Sequence, residues 1–370
     1  METGTADIAS VVIDNGSGFC KAGVAGEEVP KSVFRTVVGQ AKGIMIGGMK
    51  EYFIGEETKG KNATLALIYP IENGLITNWA HIEKIWNHCY YDELKIAPED
   101  QPCFLTAAPL TPKADKEKMA EIMFEKFNVP QFYIGNQAVL SLYASGRTTG
   151  LVLACGDHVS YAAPVSEGNP LDQATQSIKL AGRDLTEYFL KVIQDTDCNL
   201  PTFTIREAAQ DLKEKSSLVA LEYDPSKKEA SQDYDYQLPD GKSITVGSQR
   251  LTGPEILFNP KLISKDGPGI HELAVDSIMK CDVDLRGELY QNICLAGGTA
   301  MITRLPERLT KEITSLAPSD MKVQVVAPAE RRFSSWIGAS ILSKLSTWQT
   351  KWIDREEYEE VGPSIVHKKC

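Results

Sequence analysis

Apolar residues in this chain fall into two patterns that alternate along its length. Continuous apolar runs, such as residues 150–155, predict buried strands. Helically spaced apolar residues occur at 111–127, 181–195, 205–221 and 334–346. The last of these segments is expected to bury Trp336, Ile337, Ile341 and Leu345 on one helix face. Strands that alternate with helices predict an α/β architecture.

Two distant segments share one pattern. "ASVVIDNGSGFCKAGVAGEEVP" (9–30) and "GLVLACGDHVSYAAPVSEGNP" (150–170) each read as apolar strand, glycine-containing polar turn, apolar strand and acidic-glycine turn. A repeat of this kind predicts two related β-hairpins in two lobes, with a cleft between the lobes.

Each hairpin turn carries residues suited to phosphate. The first holds Asp14, Gly16, Ser17, Gly18 and Lys21. Glycines at a strand reversal let several backbone N–H groups face one anion, a lysine adds a point charge, and an aspartate can hold a water of a hydrated cation. Taken alone, this pattern is better explained by a glycine-rich hairpin turn with a surface lysine.

The second turn and a later glycine pair extend the phosphate pattern. The second turn supplies Gly156, Asp157, His158 and Val159. The segment "LAGGTAM" (295–301) precedes a predicted helix, where backbone can approach a ligand at the helix entrance. Three such elements in one chain predict a nucleotide site.

Composition and charge narrow the functional class. With 39 basic and 50 acidic residues, the formal net charge of −11 argues against nucleic acid as a partner. The N-terminus lacks the features of a secretory signal, and no apolar run approaches the length of a membrane span, so we expect a cytoplasmic protein without membrane insertion. The eight cysteines, without metal-ligand spacing, are expected to be free and mostly buried.

A series of segments then points to one family. In chain order they are "VIDNGSGFCKAG", "YPIENGLITNW", "QAVLSLYASGRTTG", "AGRDLT", "DLKEKSSLVAL", "LPDGKSITVG", "SIMKCDVDLR", "LAGGTAM", "FSSWIGASILSKLST" and "GPSIVHKKC". Along essentially its whole length the chain resembles actin. Sugar kinases and heat-shock chaperones of the same fold share the two hairpins but not the other segments.

The resemblance implies an α/β fold of the actin type, with two lobes and four subdomains. The expected boundaries are 1–35, 70–144 and 334–370 for subdomain 1, 36–69 for subdomain 2, 145–180 and 266–333 for subdomain 3, and 181–265 for subdomain 4.

The resemblance also implies ATP or ADP as ligand, with Mg²⁺ or Ca²⁺. Asp14, Gly16, Ser17, Gly18 and Lys21 match the first phosphate loop, and Gly156, Asp157, His158 and Val159 match the second. The other positions matching nucleotide contacts are Gly182, Arg183, Asp184, Lys213, Glu214, Gly297, Gly298, Thr299, Met301 and Arg332, the last in place of a lysine. Gln137 matches the residue that orients the attacking water, and Asp14 and Gln137 are expected to hold the cation through water.

Three departures from the family pattern bear on catalysis. Ala154 stands where the family has Asp, His158 where it has Gly, and Tyr161 where it has His. Two of three water-organising groups are therefore missing, which should weaken hydrolysis more than nucleotide binding. Asp157 cannot easily replace the lost carboxylate, since neighbours on a strand face opposite ways. His158 either adds a charge or a base at the phosphates, or points to solvent.

Surfaces used by actin for partners also differ. The partner-contacting loop, about 40–53, is shorter; Ser264 and Lys265 replace apolar residues in the plug segment "LISKDG"; and Lys351 replaces Met at the partner-binding cleft. We expect partners to be other copies of this chain, other actin-family subunits or cytoskeletal assembly proteins, with altered preference among actin-binding proteins.

Three functions are compatible with the sequence. The first is a divergent structural subunit of the cytoskeleton, in a filament or a larger assembly, that binds ATP or ADP but hydrolyses slowly. The second is a dynamic polymerising ATPase. The third, a cleft enzyme that phosphorylates a small substrate, lacks a candidate base for that substrate.

Overall fold

The chain combines strands and helices, as the apolar pattern predicts. The computed structural model describes residues 9–42, 50–61, 63–195, 202–224 and 233–370. Within these residues the strands are β1 (Val11–Asn15), β2 (Phe19–Val24), β3 (Ser32–Arg35), β4 (Val38–Ala41), β5 (Tyr52–Ile54), β6 (Leu65–Ile68), β7 (Ile71–Glu72), β8 (Leu75–Ile76), β9 (Cys103–Ala107), β10 (Gln131–Asn136), β11 (Gly150–Cys155), β12 (Ser160–Ser166), β13 (Asn169–Pro170), β14 (Gln176–Ile178), β15 (Tyr234–Gln237), β16 (Ser243–Val246), β17 (Ile293–Ala296), β18 (Val325–Val326) and β19 (Ile353–Asp354).

The α-helices of the described residues are α1 (Trp79–His88), α2 (Lys113–Glu121), α3 (Gln137–Ala144), α4 (Gly182–Gln194), α5 (Thr202–Ser216), α6 (Gln249–Glu255), α7 (Ile270–Met279), α8 (Val283–Gln291), α9 (Leu305–Leu316), α10 (Ser334–Lys344), α11 (Arg355–Val361) and α12 (Val366–Lys369). Wider π turns follow α1 and α2 at Cys89–Leu94 and Ile122–Lys126. Short 3-10 turns lie at Gly55–Thr58, Pro98–Asp100, Asp172–Ala174, Pro260–Ile263, Thr299–Met301, Arg331–Phe333, Ser346–Lys351 and Pro363–Ile365.

The chain divides into two compact units. Unit 1 comprises Met1–Thr148, Gly168–Pro170 and Phe333–Cys370, and unit 2 comprises Thr149–Glu167 and Leu171–Arg332. The finer division into four subdomains stays a prediction.

Unit 1 is built on a six-stranded sheet in the order β19-β10-β9-β1-β2-β3. The predicted first hairpin is present, with β1 antiparallel to β2 and Asp14 opposite Lys21. On its other side β1 runs parallel to β9, which in turn runs parallel to β10. The described residues of β4, β5 and β6 form a separate three-stranded sheet in the order β5-β4-β6.

Unit 2 repeats this arrangement. The second hairpin pairs β11 antiparallel with β12, while β11 runs parallel to β17 and β17 runs parallel to β18. β14 extends the sheet beside β12. The two hairpins thus hold equivalent places in their sheets, which confirms the internal repeat predicted from sequence.

Each unit has its own apolar core. In unit 1 the face of the sheet that carries Val11 and Ile13 packs against α1, and the face that carries Val12 packs against Trp336 of α10. In unit 2, Leu151 and Leu153 pack against α7 and α9, among other elements. Both central strands are buried along their full length, as expected for strands covered on two faces.

One predicted helix face is wrong in part. Trp336 is fully buried, but Ile341 and Leu345 are each 44% exposed. The buried side of α10 instead carries small residues, because the helix packs closely against α3: a Cβ at Gly338 would lie 1.9 Å from the carbonyl oxygen of Leu140. Apolar spacing alone cannot show which stripe faces the core when small residues form the contact.

The cysteine prediction is confirmed where the structure describes it. Seven cysteines are free, and six of them are buried; Cys198 lies outside the described residues. In the described part of the chain, no helix is both long enough and apolar enough to span a bilayer.

Candidate functional site

In unit 1, the predicted first-turn residues form a charge pair at the end of β1. Asp14 and Lys21 are cross-strand partners, so their side chains share one face of the sheet. Lys21 Nζ donates to Asp14 Oδ2 at 2.8 Å. The Asp14 side chain is 4% exposed and that of Lys21 is 16% exposed, so the ion pair is largely removed from water.

The other oxygen of the same carboxylate accepts two further donors. Thr106 Oγ1 donates to Asp14 Oδ1 at 2.6 Å, and Gln137 Nε2 does so at 3.1 Å. Gln137 is the first residue of α3, whose N-cap Asn136 accepts from Ala138 N at 2.9 Å. Three donors on one buried carboxylate provide the pairing that a buried charge requires.

The amide nitrogen of Gln137 is committed to protein acceptors. Besides Asp14 it lies 3.1 Å from Asn15 O and 3.1 Å from Thr106 Oγ1. Its amide oxygen makes no hydrogen bond with any residue that the structure describes. This oxygen is therefore the atom that can accept from a water, which is compatible with the role implied by the resemblance.

Residues outside the first turn donate hydrogen bonds to its carbonyl oxygens and to its serine. Thr36 Oγ1 donates to Gly16 O at 2.7 Å and Thr36 N donates to Gly18 O at 3.0 Å. Gly74 N donates to Ser17 Oγ at 3.2 Å. Among the described residues, no protein acceptor takes the N–H groups of Gly16, Ser17 and Gly18. Three neighbouring unused donors form a main-chain anion site of the kind that binds phosphate.

In unit 2, the second turn and the start of α4 are bonded to each other. Gly156 N donates to Val159 O at 3.1 Å and closes the turn. Gly182 N then donates to Gly156 O at 3.0 Å, and Arg183 N donates to Asp157 O at 2.7 Å. Within the described chain, the N–H groups of Asp157, His158 and Val159 have no protein acceptor, so the second turn repeats the anion-site character of the first.

Basic side chains from three elements surround the carboxylate of Asp157. His158 Nδ1 lies 3.1 Å from Asp157 Oδ2, and Arg183 Nε lies 4.0 Å from the same oxygen. The third is Lys213 on α5. Burial alone would raise the pKa of Asp157, but the neighbouring His158, Lys213 and Arg183 more than offset it and hold the pKa below its ordinary value. Arg183 and Lys213 thus bring two basic side chains to the second turn, where they can attract an anionic ligand.

Lys213 is buried beside the start of α4. Its Nζ donates to Gly182 O at 3.2 Å and to Thr186 Oγ1 at 3.1 Å. Burial lowers the pKa of Lys213, and the carboxylates of Asp157 and Glu214 offset this only in part. Glu214, the next residue, is exposed and accepts from Gln210 Nε2 at 3.0 Å.

His158 carries ring nitrogens without hydrogen bonds. The side chain is only 7% exposed, and neither Nδ1 nor Nε2 has a hydrogen-bond partner among the described residues; the approach of Nδ1 to Asp157 lacks hydrogen-bond geometry. Buried imidazole nitrogens of this kind are costly unless a ligand or water supplies a partner. An oxygen-rich ligand such as a nucleotide fits this requirement.

Ala154 and Tyr161 face each other across the second hairpin. They are register partners in β11 and β12, and they are 6% and 8% exposed. The third strand of this row contributes Ala296. A methyl group and a phenol ring therefore share the sheet face on which the resemblance implies a carboxylate and an imidazole.

The glycine pair of "LAGGTAM" lies beside the second turn. Gly297 has φ +93°, and a Cβ there would lie 2.3 Å from Cys155 O. Thr299 Oγ1 donates to Gly156 O at 2.6 Å. Gly297 N donates to Arg331 O at 3.0 Å, which brings the neighbouring Arg332 to the same region. Met301 is 39% exposed at the end of its 3-10 turn.

Close packing within the protein explains several glycines that the sequence suggested for ligand approach. A Cβ at Gly16 would lie 2.5 Å from Phe19 O, and one at Gly182 would lie 2.5 Å from Thr299 Oγ1. Gly298, by contrast, has open space where a Cβ would be. The backbone at Gly298 therefore has room for a ligand, while Gly16 and Gly182 are required by the fold itself.

The sequence did not suggest some residues that the structure places at these sites. Thr106 contacts Asp14 from β9, and Thr36 fastens the first turn from the residue after β3. No local motif marks either threonine. A pairing of β1 with the apolar strand that begins at Cys103 could have placed Thr106 beside Asp14, because parallel strands end at one edge.

The described residues do not form a direct cation site. No group of three or more His, Cys, Asp or Glu side chains among them is arranged to hold a metal. Asp14 is the acidic side chain at the first turn, and Lys21 already pairs with it. These residues fit a cation held through water and through the phosphates of a nucleotide, since hydrated Mg²⁺ keeps several waters.

Comparison with protein families agrees with the fold. The family described as Actin matches residues 5–370, which is essentially the whole chain. The match agrees with the α/β architecture and with the paired hairpins of the two units. The chain belongs to the actin family, and its fold is the actin-like α/β fold.

Proposed function

We propose that this chain is a divergent actin-like cytoskeletal subunit that binds ATP or ADP with Mg²⁺ or Ca²⁺ and hydrolyses ATP slowly. One observation supports the proposal above all others. The second turn keeps its unused N–H groups and its surrounding cations, yet the adjacent strand face carries Ala154 and Tyr161. Groups that grip phosphate are therefore present without two of the groups that would organise the attacking water.

Each unit by itself offers donors suited to a nucleotide. In unit 1 the N–H groups of the first turn and the Lys21 ammonium suit phosphate oxygens. In unit 2 the second turn, Arg183 and Lys213 supply donors and positive charge. The nucleotide, when bound, supplies phosphate oxygens that can also carry the cation.

Slow hydrolysis follows from the chemistry of water activation. Phosphoryl transfer depends on the position of the nucleophile and on charge compensation. Gln137 can still accept a hydrogen bond from water through its amide oxygen. Neither the Ala154 methyl nor the Tyr161 phenol supplies a carboxylate or imidazole acceptor, so the water loses two of its three organising contacts.

Two other roles remain as alternatives. If His158 or another group restores water activation, the chain is a dynamic polymerising ATPase. His158 is the best-placed candidate, because its buried ring nitrogens lack hydrogen-bond partners among the described residues. The phosphorylation of a small second substrate has less support, because the family that matches residues 5–370 is actin.

Partners and location follow from family membership as proposals. We propose association with copies of this chain, other actin-family subunits or cytoskeletal assembly proteins in the cytoplasmic cytoskeleton. Lys351 is exposed at the end of the turn Ser346–Lys351, where a charge disfavours docking of an apolar helix. Half of the expected partner-contacting loop, residues 43–49, lies outside the described residues.

Phosphate release measures the proposed loss of activity. Purified protein is given Mg-ATP, alone and in salt that promotes polymerisation, beside the double variant Ala154→Asp, Tyr161→His. We expect slow release from the unchanged chain and an increase of about tenfold or more in the double variant.

The matched control is the double variant Ala154→Asn, Tyr161→His, which has the shape of the first variant without its carboxylate. It should bind ATP and stay slow. Release from the unchanged chain that already equals that of the Ala154→Asp, Tyr161→His variant would contradict the proposal and favour the dynamic ATPase.

A further inference from the structure

In unit 2, the segment 179–184, which leads into α4, is bonded on one side to the second turn. Ser160 Oγ donates to Leu180 O at 2.6 Å. The two bonds from Gly182 N and Arg183 N to the carbonyls of the second turn follow directly. Any ligand that fixes the second turn therefore also fixes this segment.

A lysine from a different loop holds the opposite side of the same segment. Lys265 Nζ donates to Lys179 O at 2.8 Å and to Asp184 Oδ1 at 2.5 Å. Asp184 Oδ2 meanwhile accepts from Ala181 N at 2.9 Å. Ala181 has no side-chain oxygen to complete a capping box, so the Asp184 carboxylate caps this end of α4 alone, and Lys265 pairs with that carboxylate.

The backbone of the loop that carries Lys265, residues 260–268, bonds locally near the lysine. Ser264 N donates to Lys261 O, and Lys265 N donates to Pro260 O. Ser264 adopts a left-handed conformation with φ 56°, and Gly267 has φ +128°. These features leave the Lys265 ammonium as the main polar connection from this loop to the segment 179–184.

A cavity lies between the loop and that segment. It has a volume of about 360 Å³ and is lined by Ile178, Leu180, Pro260 and Pro268, among others. Tight packing is therefore missing along this space, although Ile263 of the loop packs against the core cluster that contains Leu180. The bonds of Lys265 add a polar attachment across the space to this apolar one.

We propose that Lys265 is a positioning residue for the nucleotide-binding residues of unit 2, and that it couples the loop 260–268 to occupancy of the second turn. This inference rests on the proposed nucleotide binding. A ligand at the second turn stabilises the conformation of residues 179–184 in which Lys179 O and Asp184 Oδ1 both accept hydrogen bonds from Lys265 Nζ. By thermodynamic linkage, attachment of the loop increases the affinity for the ligand by the same factor by which the ligand increases attachment of the loop.

Hydrogen exchange of the loop amides tests the attachment without any ligand. The variants are Lys265→Met, which keeps the length of the side chain, Lys265→Arg, which keeps the charge, and Lys261→Met as matched control. Lys261 is exposed in the same loop, and its ammonium has no partner among the described residues. We expect exchange of the 262–267 amides to be about fivefold faster in Lys265→Met, and near that of the unchanged chain in the other two variants.

Addition of Mg-ATP then tests the coupling. ATP should slow loop exchange in the unchanged chain and in Lys261→Met but not in Lys265→Met. A fluorescent ATP analogue should dissociate about threefold faster from Lys265→Met, with recovery in Lys265→Arg. Melting temperatures of all variants establish that they are folded.

The outcomes separate the attachment, the coupling and the proposed function. Unchanged loop exchange in Lys265→Met without ATP would overturn the attachment. Faster loop exchange with unchanged ATP dissociation would overturn the coupling. Absence of ATP binding in every folded variant, including the unchanged chain, would overturn the proposed function and with it the coupling, while the ligand-free exchange would still decide the attachment.

Discussion

Replacement of Asp14 by Asn tests the charge network of the first turn most directly. An asparagine has one side-chain oxygen where the aspartate has two. Either Lys21 Nζ or the pair of donors from Thr106 and Gln137 must then lose its acceptor and face an amide N–H group. The change removes the charge partner of a lysine whose side chain is 16% exposed.

The magnitude follows from distance and burial. At 2.8 Å the gross Coulomb attraction of the Asp14–Lys21 pair is about 6 kcal/mol at an effective dielectric constant of about 20. Desolvation of both ions offsets most of this attraction. A charge-assisted hydrogen bond retains about 1.5–3 kcal/mol, and an unmatched lysine adds to the loss. We therefore expect Asp14→Asn to lower the free energy of unfolding of unit 1 by about 3 kcal/mol.

Urea unfolding monitored by tryptophan fluorescence suits this measurement. The five tryptophans are Trp79, Trp86, Trp336, Trp348 and Trp352, and all lie in unit 1. One of them, Trp86, donates through Nε1 to Asn15 Oδ1 at 2.9 Å, directly beside the perturbed residue. The fluorescence transition therefore reports the unit that carries the substitution.

A double-mutant cycle with Lys21→Met isolates the pair. The double variant should lose about 2 kcal/mol less than the sum of the two single variants, because neither ion is then left alone. If the two losses are additive within about 0.5 kcal/mol, the two ions do not stabilise each other, and the ion pair is not what holds the first turn.

Three further predictions concern packing, a buried ion pair and acid stability. Gly338→Ala should lower the free energy of unfolding by more than about 2 kcal/mol, because its Cβ would lie 1.9 Å from a carbonyl oxygen of α3. Gly287→Ala, with open space around its Cβ, should be neutral or stabilising by about 0.5 kcal/mol. Thermal melts of the two variants side by side measure this difference. Arg308→Met should lower the free energy of unfolding of unit 2 by about 3–5 kcal/mol, because Glu255 stays buried but loses the two 3.0 Å hydrogen bonds that it accepts from Arg308. A circular dichroism melt without this loss would contradict the prediction. The pKa of Asp157 in the folded chain lies below its ordinary value of 3.8, so its stabilisation is complete above that pH and is lost as the pH falls through the lowered pKa. Asp157→Asn should therefore show less loss of stability than the unchanged chain between about pH 5 and about pH 2, and equal pH profiles would refute this.

The elements that depend on local pattern could be predicted from the sequence. The two hairpins were predictable because each combines apolar strands with a polar glycine turn, and both are present with the expected strand pairing. The prediction failed at α10, where small residues rather than Ile341 and Leu345 form the buried side. The pattern of apolar residues identifies a helix but does not rank its faces when a neighbouring backbone approaches closely.

The candidate site divides in the same way. The resemblance located Asp14, Gln137 and the second turn, and the structure brings the first two into hydrogen-bond contact. No local motif assigned Thr106 or Lys265 to these sites, because each contacts its partner across a long separation in the chain. The sequence analysis placed Lys265 on a surface that contacts partners, whereas in the structure this lysine forms an ion pair with Asp184 of its own unit.

The sequence by itself determined the α/β order of elements, the repeated hairpins, membership in the actin family and the presence of Ala154 and Tyr161 where the resemblance implies Asp and His. These features are local, because strand periodicity and turn chemistry act between neighbouring residues. Only the tertiary structure decided that Ala154 and Tyr161 face each other, that three donors meet on Asp14, and that Lys265 holds the start of α4. Strand register and long-range ion pairs depend on which distant segments the folded core brings together, and no local pattern specifies that choice.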